Sequence, residues 1–296
     1  MPSTSQTAAS SDIQAFRDVL ASSKSIITLA GAGLSAGSGI QTYRGGGGLW
    51  NTHDADYLAT PQAFKENPSR VWQFYHTRRE ICLQSQPNAA HHALASLSEP
   101  STLFRITPSL KETSSPPLLI TQNIDSLSLR ALDGLPPAVK TAAEGRLLEM
   151  HGCIFSTRCT SCQHTQRTYS SPLCSAFLST EERDIPISEL PRCGGENWSG
   201  SNRYGKCGGL LRPDVVWFGE IPNHMGEIAQ RLNWCDLLLV VGTSSTVYPA
   251  AGFAATVKAR GGKVAVFDIE NPKDHVGADF IFLGPCEETL PEVLGV

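Results

Sequence analysis

The chain has 296 residues, 41% hydrophobic and 18% charged, and carries a net charge of −4. Its length holds two ordinary domains, or one large α/β domain with an insertion, and its composition is that of a globular protein rather than a disordered one. The charge excludes a strongly basic grip on nucleic acid, and the longest apolar run, Leu237–Val241, is far short of a membrane span. Nine cysteines, with no signal peptide expected ahead of them, point to a reducing compartment with free or metal-bound thiols.

Residues 1–11 are rich in Ser, Thr and Ala and read as a short disordered tail. Asp12 and Asp18, with no Arg before Arg17, make a poor mitochondrial transit peptide. Residues 12–23 predict an amphipathic helix, capped by Ser11 or Asp12, with Ile13, Phe16, Val19 and Leu20 on one face. A buried strand follows over 25–30. Further buried strands are expected at 118–122, 236–241, 263–268 and 280–283, with helical stretches between most of them. That alternation predicts a parallel sheet covered on both faces. Residues 60–97 read as helices only, and Thr60-Pro61 and Asn67-Pro68 each pair an N-cap with Pro at the first helical position. Stretches 105–117 and 134–145 read as surface loops. Residues 156–209 are polar, rich in Gly and Cys, and too poor in core periodicity to fold without a staple.

Gly31-Ala-Gly-Leu-Ser-Ala36 follows the first strand and matches the dinucleotide fingerprint G-x-G-x-x-A. Gly31 permits the tight turn, and Gly33 lets backbone approach a pyrophosphate. A plain glycine turn is the alternative. The chain then departs from a dehydrogenase, because Gly45–Gly48 make a loop where a second strand would stand.

Cys159-x-x-Cys162, Cys193 and Cys207 offer four thiolates inside the polar insert, the staple it needs if they close on one structural zinc. The second pair is spaced more widely than a standard knuckle. Cys174 is a competing ligand, and four free thiols are the alternative. Cys82, Cys153, Cys235 and Cys286 read mostly as small core residues. Gln122, Asn123 and Asp125 end the second strand, where ligands bind in open α/β sheets, although a helix cap also uses these residue types. His151 alone could equally be structural or catalytic.

In this order, Gly31-Ala-Gly-Leu-Ser-Ala36, Tyr43-Arg44-Gly45, Gln122-Asn123-Ile-Asp125, His151-Gly152, the four cysteines and Gly242-Thr243-Ser244 resemble the sirtuins, the NAD-dependent protein lysine deacylases. The resemblance runs from about residue 20 to the end. It implies a Rossmann-like α/β fold with helices on both faces of the sheet, a small zinc-binding insert and a helical cofactor-loop insert. The catalytic domain would be 12–296. Its NAD-binding part would be 12–50, 98–155 and 210–296, its helical insert 51–97 and its zinc module 156–209. The resemblance implies His151 as general base on a ribose hydroxyl, with Asn123 and Asp125 holding the ribose and the nicotinamide carboxamide. Gln122 would orient ribose hydroxyls. Gly31, Ala32, Gly33, Ala36, Tyr43 and Arg44 would line the nicotinamide and phosphate side. Gly242, Thr243, Ser244, Asp268 and Cys286 would hold the adenosine half. Asp268 stands where the family usually has Asn.

The segment Pro68–Glu80 is similar to the class III sirtuins, which favour succinyl-, malonyl- and glutaryl-lysine. Tyr75 and Arg78 then bind the acyl carboxylate, and Ala55 leaves the pocket roomy. Residues at i and i+3 share a helix face, and a guanidinium grips a carboxylate bidentately. Val216, Trp217, Phe218 and Gly219 resemble the substrate loop, to which a peptide adds as a strand. The implied partners are acylated-lysine proteins, with no direct nucleic acid and no membrane. The implied state is a monomer, and the implied compartment is the mitochondrion, with cytosol or nucleus open. Competing readings are a sirtuin acting as a deacetylase or mono-ADP-ribosyltransferase, and a non-catalytic module that senses NAD.

Overall fold

The computed structural model describes residues 9–42, 53–110, 115–178, 184–196, 207–243, 247–270 and 277–296. Its strands are β1 (Ile26–Ala30), β2 (Leu118–Thr121), β3 (Leu147–Glu149), β4 (Gly152–Cys159), β5 (Thr165–Arg167), β6 (Leu211–Val215), β7 (Leu237–Val241), β8 (Lys263–Asp268) and β9 (Phe280–Leu283). The first helices are α1 (Ile13–Ser22), α2 (Gly33–Ala36), α3 (His53–Leu58), α4 (Pro61–Glu66), α5 (Pro68–Gln84) and α6 (Ala89–Ser96). There follow α7 (Pro100–Ile106), α8 (Leu127–Arg130), α9 (Pro137–Glu144), α10 (Met225–Leu232), α11 (Phe253–Ala259) and α12 (Cys286–Leu294).

The larger sheet is parallel throughout, in the order β3-β2-β1-β7-β8-β9. Side chains alternate across a strand, and here both sets are buried. Leu237, Leu239 and Val241 pack with Phe16, Leu20, Phe267 and Leu290 on one face. Leu238 and Val240 pack with Ile27, Ile120, Phe253 and Val257 on the other. Each such side chain contributes about 1.5–3 kcal/mol relative to exposure. All five strands expected from the sequence are present. Three residues of β3 add the edge beyond them.

The smaller sheet is antiparallel, in the order β5-β4-β6. It reaches past 156–209 on both sides, since β4 begins at Gly152 and β6 ends at Val215. The helical insert packs on it. Trp72 Nε1 donates to Leu211 O at 2.9 Å, and buried Arg79 donates to the carbonyls of Ile154, Thr168 and Ser170. Thr60 and Asn67 cap α4 and α5 by accepting from Ala63 N at 3.1 Å and Arg70 N at 2.8 Å, as the sequence indicated; each such cap is worth about 1 kcal/mol. Asp12 caps α1 through Ala15 N. The expected loop at 134–145 is corrected: Pro137–Glu144 is helical, because Pro137 sits at its first turn and Ala143 buries against Ala131 and Leu132. No described helix is long and apolar enough to cross a membrane.

Gly242 adopts φ +58, and a Cβ there would stand 2.6 Å from Gly33 Cα. Gly242→Ala is therefore expected to cost about 3 kcal/mol, from left-handed strain and overpacking together, in a denaturant-unfolding measurement. A change below about 1 kcal/mol would mean that the two backbones can part freely.

Candidate active site

The crevice opens between β1 and β7, where the strand order reverses. Gly31 and Gly33 follow β1, while Gly242 and Thr243 follow β7. The two turns cross backbone on backbone. Gly31 N–H donates to Val241 O at 2.9 Å, and Gly33 N–H donates to Gly242 O at 2.8 Å. The glycines are thus demanded by the crossing itself, and they leave a lip of bare backbone that suits a pyrophosphate. Because α2 is only four residues long, loop N–H groups rather than a long helix dipole would hold an anion there. Ala32 is half-buried in the turn, and Ala36 is exposed at the end of α2. Gln122 Nε2 donates to Thr243 Oγ1 at 3.1 Å and joins the ends of β2 and β7. Asp268 ends β8 and accepts from Glu270 N at 3.4 Å. Cys286 is 2% exposed, and its thiol points at Phe267 O, so its side chain belongs to the core. Tyr43, Arg44 and Ser244 lie outside the described residues.

Beneath the crevice lies a buried polar network centred on Ser35. Its hydroxyl donates to Asp125 Oδ2 at 2.7 Å and accepts from Asn123 Nδ2 at 3.1 Å. Asn123 Nδ2 also donates to Gly31 O at 2.9 Å. Burial pushes the Asp125 carboxyl above its ordinary range, opposed by the N–H of Leu127 and the Ser35 hydroxyl. His91 Nε2 stands 3.4 Å from Ser35 Oγ, and burial pulls that imidazole down to about 3. Asn88 caps α6, forms a capping box with His91 and donates to Leu34 O at 2.8 Å. Sequence reading placed Asn123 and Asp125 here but missed Ser35, Asn88 and His91. The spacing Asn88-x-x-His91 was a visible cap signal, and its partner in α2 was not.

His151 sits just ahead of β4. Its Nδ1 donates to Gln122 O at 3.0 Å, which leaves Nε2 as the acceptor nitrogen. Burial lowers its pKa, and the Gln122 bond opposes this. Neutral imidazole with a bare Nε2 is the form a general base needs. His151 O accepts from Val216 N at 2.8 Å, so His151 and the loop after β6 are adjacent. Phe218 N donates to Ala59 O at 2.9 Å on the loop's other side. Phe218 is 46% exposed while Trp217 is buried. Gly219, at φ +88, turns the loop away.

Tyr75 and Arg78 lie one turn apart on α5. Tyr75 is buried, and burial pushes its phenol well above the usual range, so it stays a neutral donor. Arg78 lies over the Phe74 ring at 3.5 Å and, although burial lowers it to about 10, remains a cation at neutral pH. Ala55 on α3 is 1% exposed, and α3 packs on α5.

The Sγ atoms of Cys159, Cys162, Cys193 and Cys207 lie within 4.8 Å of one another. Individual separations are 3.4 Å for Cys159–Cys207, 3.5 Å for Cys162–Cys207 and 3.8 Å for Cys162–Cys193. Four thiolates at about 2.3 Å from a tetrahedral zinc stand about 3.8 Å apart, so the cluster fits one structural ion with no open position. N–H groups of Ser161 and Gly209 point at Cys159 and Cys207. Cys174 is outside the cluster and instead faces Glu189 O.

Residues 31–249 match the Sir2 family. The chain is 44% identical over 294 residues to the mitochondrial NAD-dependent protein deacylase sirtuin-5 of Xenopus tropicalis, covering 96% of this chain and 86% of that protein. A crystal structure of a Sir2 homolog–NAD complex superposes with TM-score 0.76 at 33% identity, over 99% of this chain and 97% of that one. A Sir2 protein holding a deacetylated p53 peptide and 3'-O-acetyl-ADP-ribose superposes with TM-score 0.69 at 26% identity, over 94% and 95%.

His151 is expected to carry its proton on Nδ1 and to titrate below the ordinary 6.5, read from its ring-nitrogen NMR shifts as pH falls. With the folded value depressed, this residue contributes stability above the unfolded value, and that stability is lost as pH falls through the folded one. A midpoint above 6.5 would contradict burial as the dominant influence.

Proposed function

The chain belongs to the Sir2 family, and from that premise we propose that it is an NAD-dependent protein lysine deacylase favouring acyl groups that end in a carboxylate. Succinyl, malonyl and glutaryl groups are the candidates, with nicotinamide and O-acyl-ADP-ribose as products. The substrates are acylated-lysine proteins, met by a monomer without direct contact to nucleic acid. The compartment is the mitochondrion, in keeping with the mitochondrial sirtuin-5 relatives.

NAD, when bound, would supply the electrophilic ribose carbon and the nicotinamide leaving group. The glycine lip of Gly31, Ala32, Gly33 and Gly242 would seat the pyrophosphate, joined by Ala36, Tyr43 and Arg44. Thr243, Ser244, Asp268 and the backbone N–H of Cys286 would hold the adenosine half. Asn123 and Asp125, fixed through Ser35, would orient the nicotinamide-side ribose and the carboxamide. Gln122 serves twice, since its carbonyl fixes the tautomer of His151 and its amide faces Thr243. His151 Nε2 would then take the ribose hydroxyl proton. Val216, Phe218 and Gly219 would line the peptide. Cys159, Cys162, Cys193 and Cys207 would hold the zinc, away from the chemistry.

The observation that carries the acyl choice is the pairing of Arg78, a part-buried cation, with Tyr75, whose phenol accepts from Trp217 and so keeps its own hydrogen to give. A carboxylate-ended acyl group can accept a charge-assisted, bidentate pair of bonds from the Arg78 guanidinium, which a neutral acetyl group cannot.

Purified protein, NAD and matched succinyl-, malonyl-, glutaryl- and acetyl-lysine peptides, followed by mass spectrometry, test this. Acidic acyl groups should dominate, and Arg78→Met should lower the succinyl-to-acetyl ratio of kcat/KM about a hundredfold. His151→Asn should cut kcat at least about a hundredfold. An acetyl preference in the unmodified enzyme would overturn the acyl assignment and leave a deacetylase. No nicotinamide release from any peptide would overturn catalysis itself and favour an NAD-sensing module.

A further inference from the structure

Tyr75 does not stand alone in its pocket. Trp217 Nε1 donates to Tyr75 Oη at 3.0 Å, and an indole N–H can only donate. The phenol therefore spends a lone pair on Trp217 and cannot spend its hydrogen there. Among the described residues, this accepted bond is the only one the phenol makes, so its own hydrogen is not committed to Trp217. The direction of that O–H depends on where the indole is held.

The indole is held from three directions. The Arg212 guanidinium lies 3.5 Å from the centre of the Trp217 ring, and the Phe64 ring lies 5.3 Å from it. The Trp217 backbone N–H donates to Glu220 Oε2 at 2.8 Å. Glu220 and Arg212 are themselves a bidentate pair, at 2.6 and 2.8 Å, and Arg212 Nη2 reaches Val215 O at 2.9 Å. The planar fork fixes the guanidinium, and the guanidinium fixes the ring beneath it. Arg212 is on β6 and Glu220 ends the loop, so this clamp spans the segment that lines the peptide.

We propose that Arg212 and Glu220 are positioning residues for acyl selection: their ion pair clamps Trp217, and Trp217 aims the Tyr75 hydroxyl at the substrate carboxylate. The proposal rests on the acidic-acyl reading above. It assigns discrimination to a pair that need not touch the acyl group. It also couples the peptide loop to the acyl pocket, because a shift of the loop moves the donor on α5.

The test is a double-mutant cycle with Tyr75→Phe and Arg212→Met. It is read as kcat/KM for a succinyl-lysine peptide divided by that for a butyryl-lysine peptide, the neutral acyl group of equal length. Tyr75→Phe should lower the ratio about tenfold. Arg212→Met should lower it about fivefold, through KM for the succinyl peptide, with kcat within about twofold. The double variant should fall no further than Tyr75→Phe alone, because both changes remove one interaction. Glu220→Gln keeps the side-chain volume and an acceptor for Trp217, and should move the ratio the same way by less. Thermal melting accompanies each variant, and Glu220→Gln carries the test if Arg212→Met does not fold. The proposal is overturned if the two falls multiply, or if succinyl and butyryl turnover drop alike. It is also overturned if Arg212→Met and Glu220→Gln leave the ratio unmoved while Tyr75→Phe lowers it, and the acidic-acyl reading then survives. If Tyr75→Phe itself leaves the ratio unmoved, that reading falls and takes the proposal with it.

Discussion

The hydrogen bond from Val216 N to His151 O, 2.8 Å long, is the joint on which the site turns. It closes the ladder between β4 and β6 at the end nearest the crevice. At the other end of the ladder Cys159 pairs with Leu211, beside the thiol cluster. One pair of strands thus runs from the four thiolates to His151 and to the loop that would line a peptide. Gly152 is part of the same constraint, because it lies at φ +79 and a Cβ there would meet Val215 Cα at 3.0 Å. Leu173, Phe177, Ile185 and Leu190 of the insert share one buried core with Phe155, Leu211 and Trp72, and a zinc ion held by the four thiolates would add a cross-link at the far end of the ladder.

Two contacts bring the halves of the site together, one between backbones and one from a side chain to a backbone carbonyl. In the first, Gly33 and Gly242 cross without room for side chains, which fixes the ends of β1 and β7 against each other. In the second, the Gln122 carbonyl receives His151 Nδ1 and so ties the end of β2 to the start of β4. The crevice is thus held by main chain, and the His151 ring is tied to it through a main-chain acceptor. Burial then acts in the useful direction at both titrating groups. It disfavours the charged form of the His151 imidazole and of the Tyr75 phenol.

Most of the sheet was legible because Leu237–Val241 and its neighbours are apolar on both faces, which few other elements are. The helices at 61–84 were legible from Thr60-Pro61 and Asn67-Pro68. Residues 137–144 escaped because a short helix with one buried alanine carries little periodicity. Strand β6 escaped because Arg212 and Asp214 alternate with Pro213, a pattern that reads as loop. The residues of the site were legible as types in order, but their partnerships were not. Ser35 meets Asp125 across ninety positions, and Trp217 meets Tyr75 across 142. Contacts of that separation leave no local spacing to read.

The most direct measurement is amide hydrogen exchange at Val216 in a Cys207→Ser variant, with succinyl-lysine turnover measured on the same preparation. Protection at Val216 should fall and turnover should be lost, while amides of β7 stay protected as they are in the unmodified protein. Full protection at Val216 with undiminished turnover would contradict this dependence, because His151 and residues 216–219 would then hold their places without the cysteine cluster.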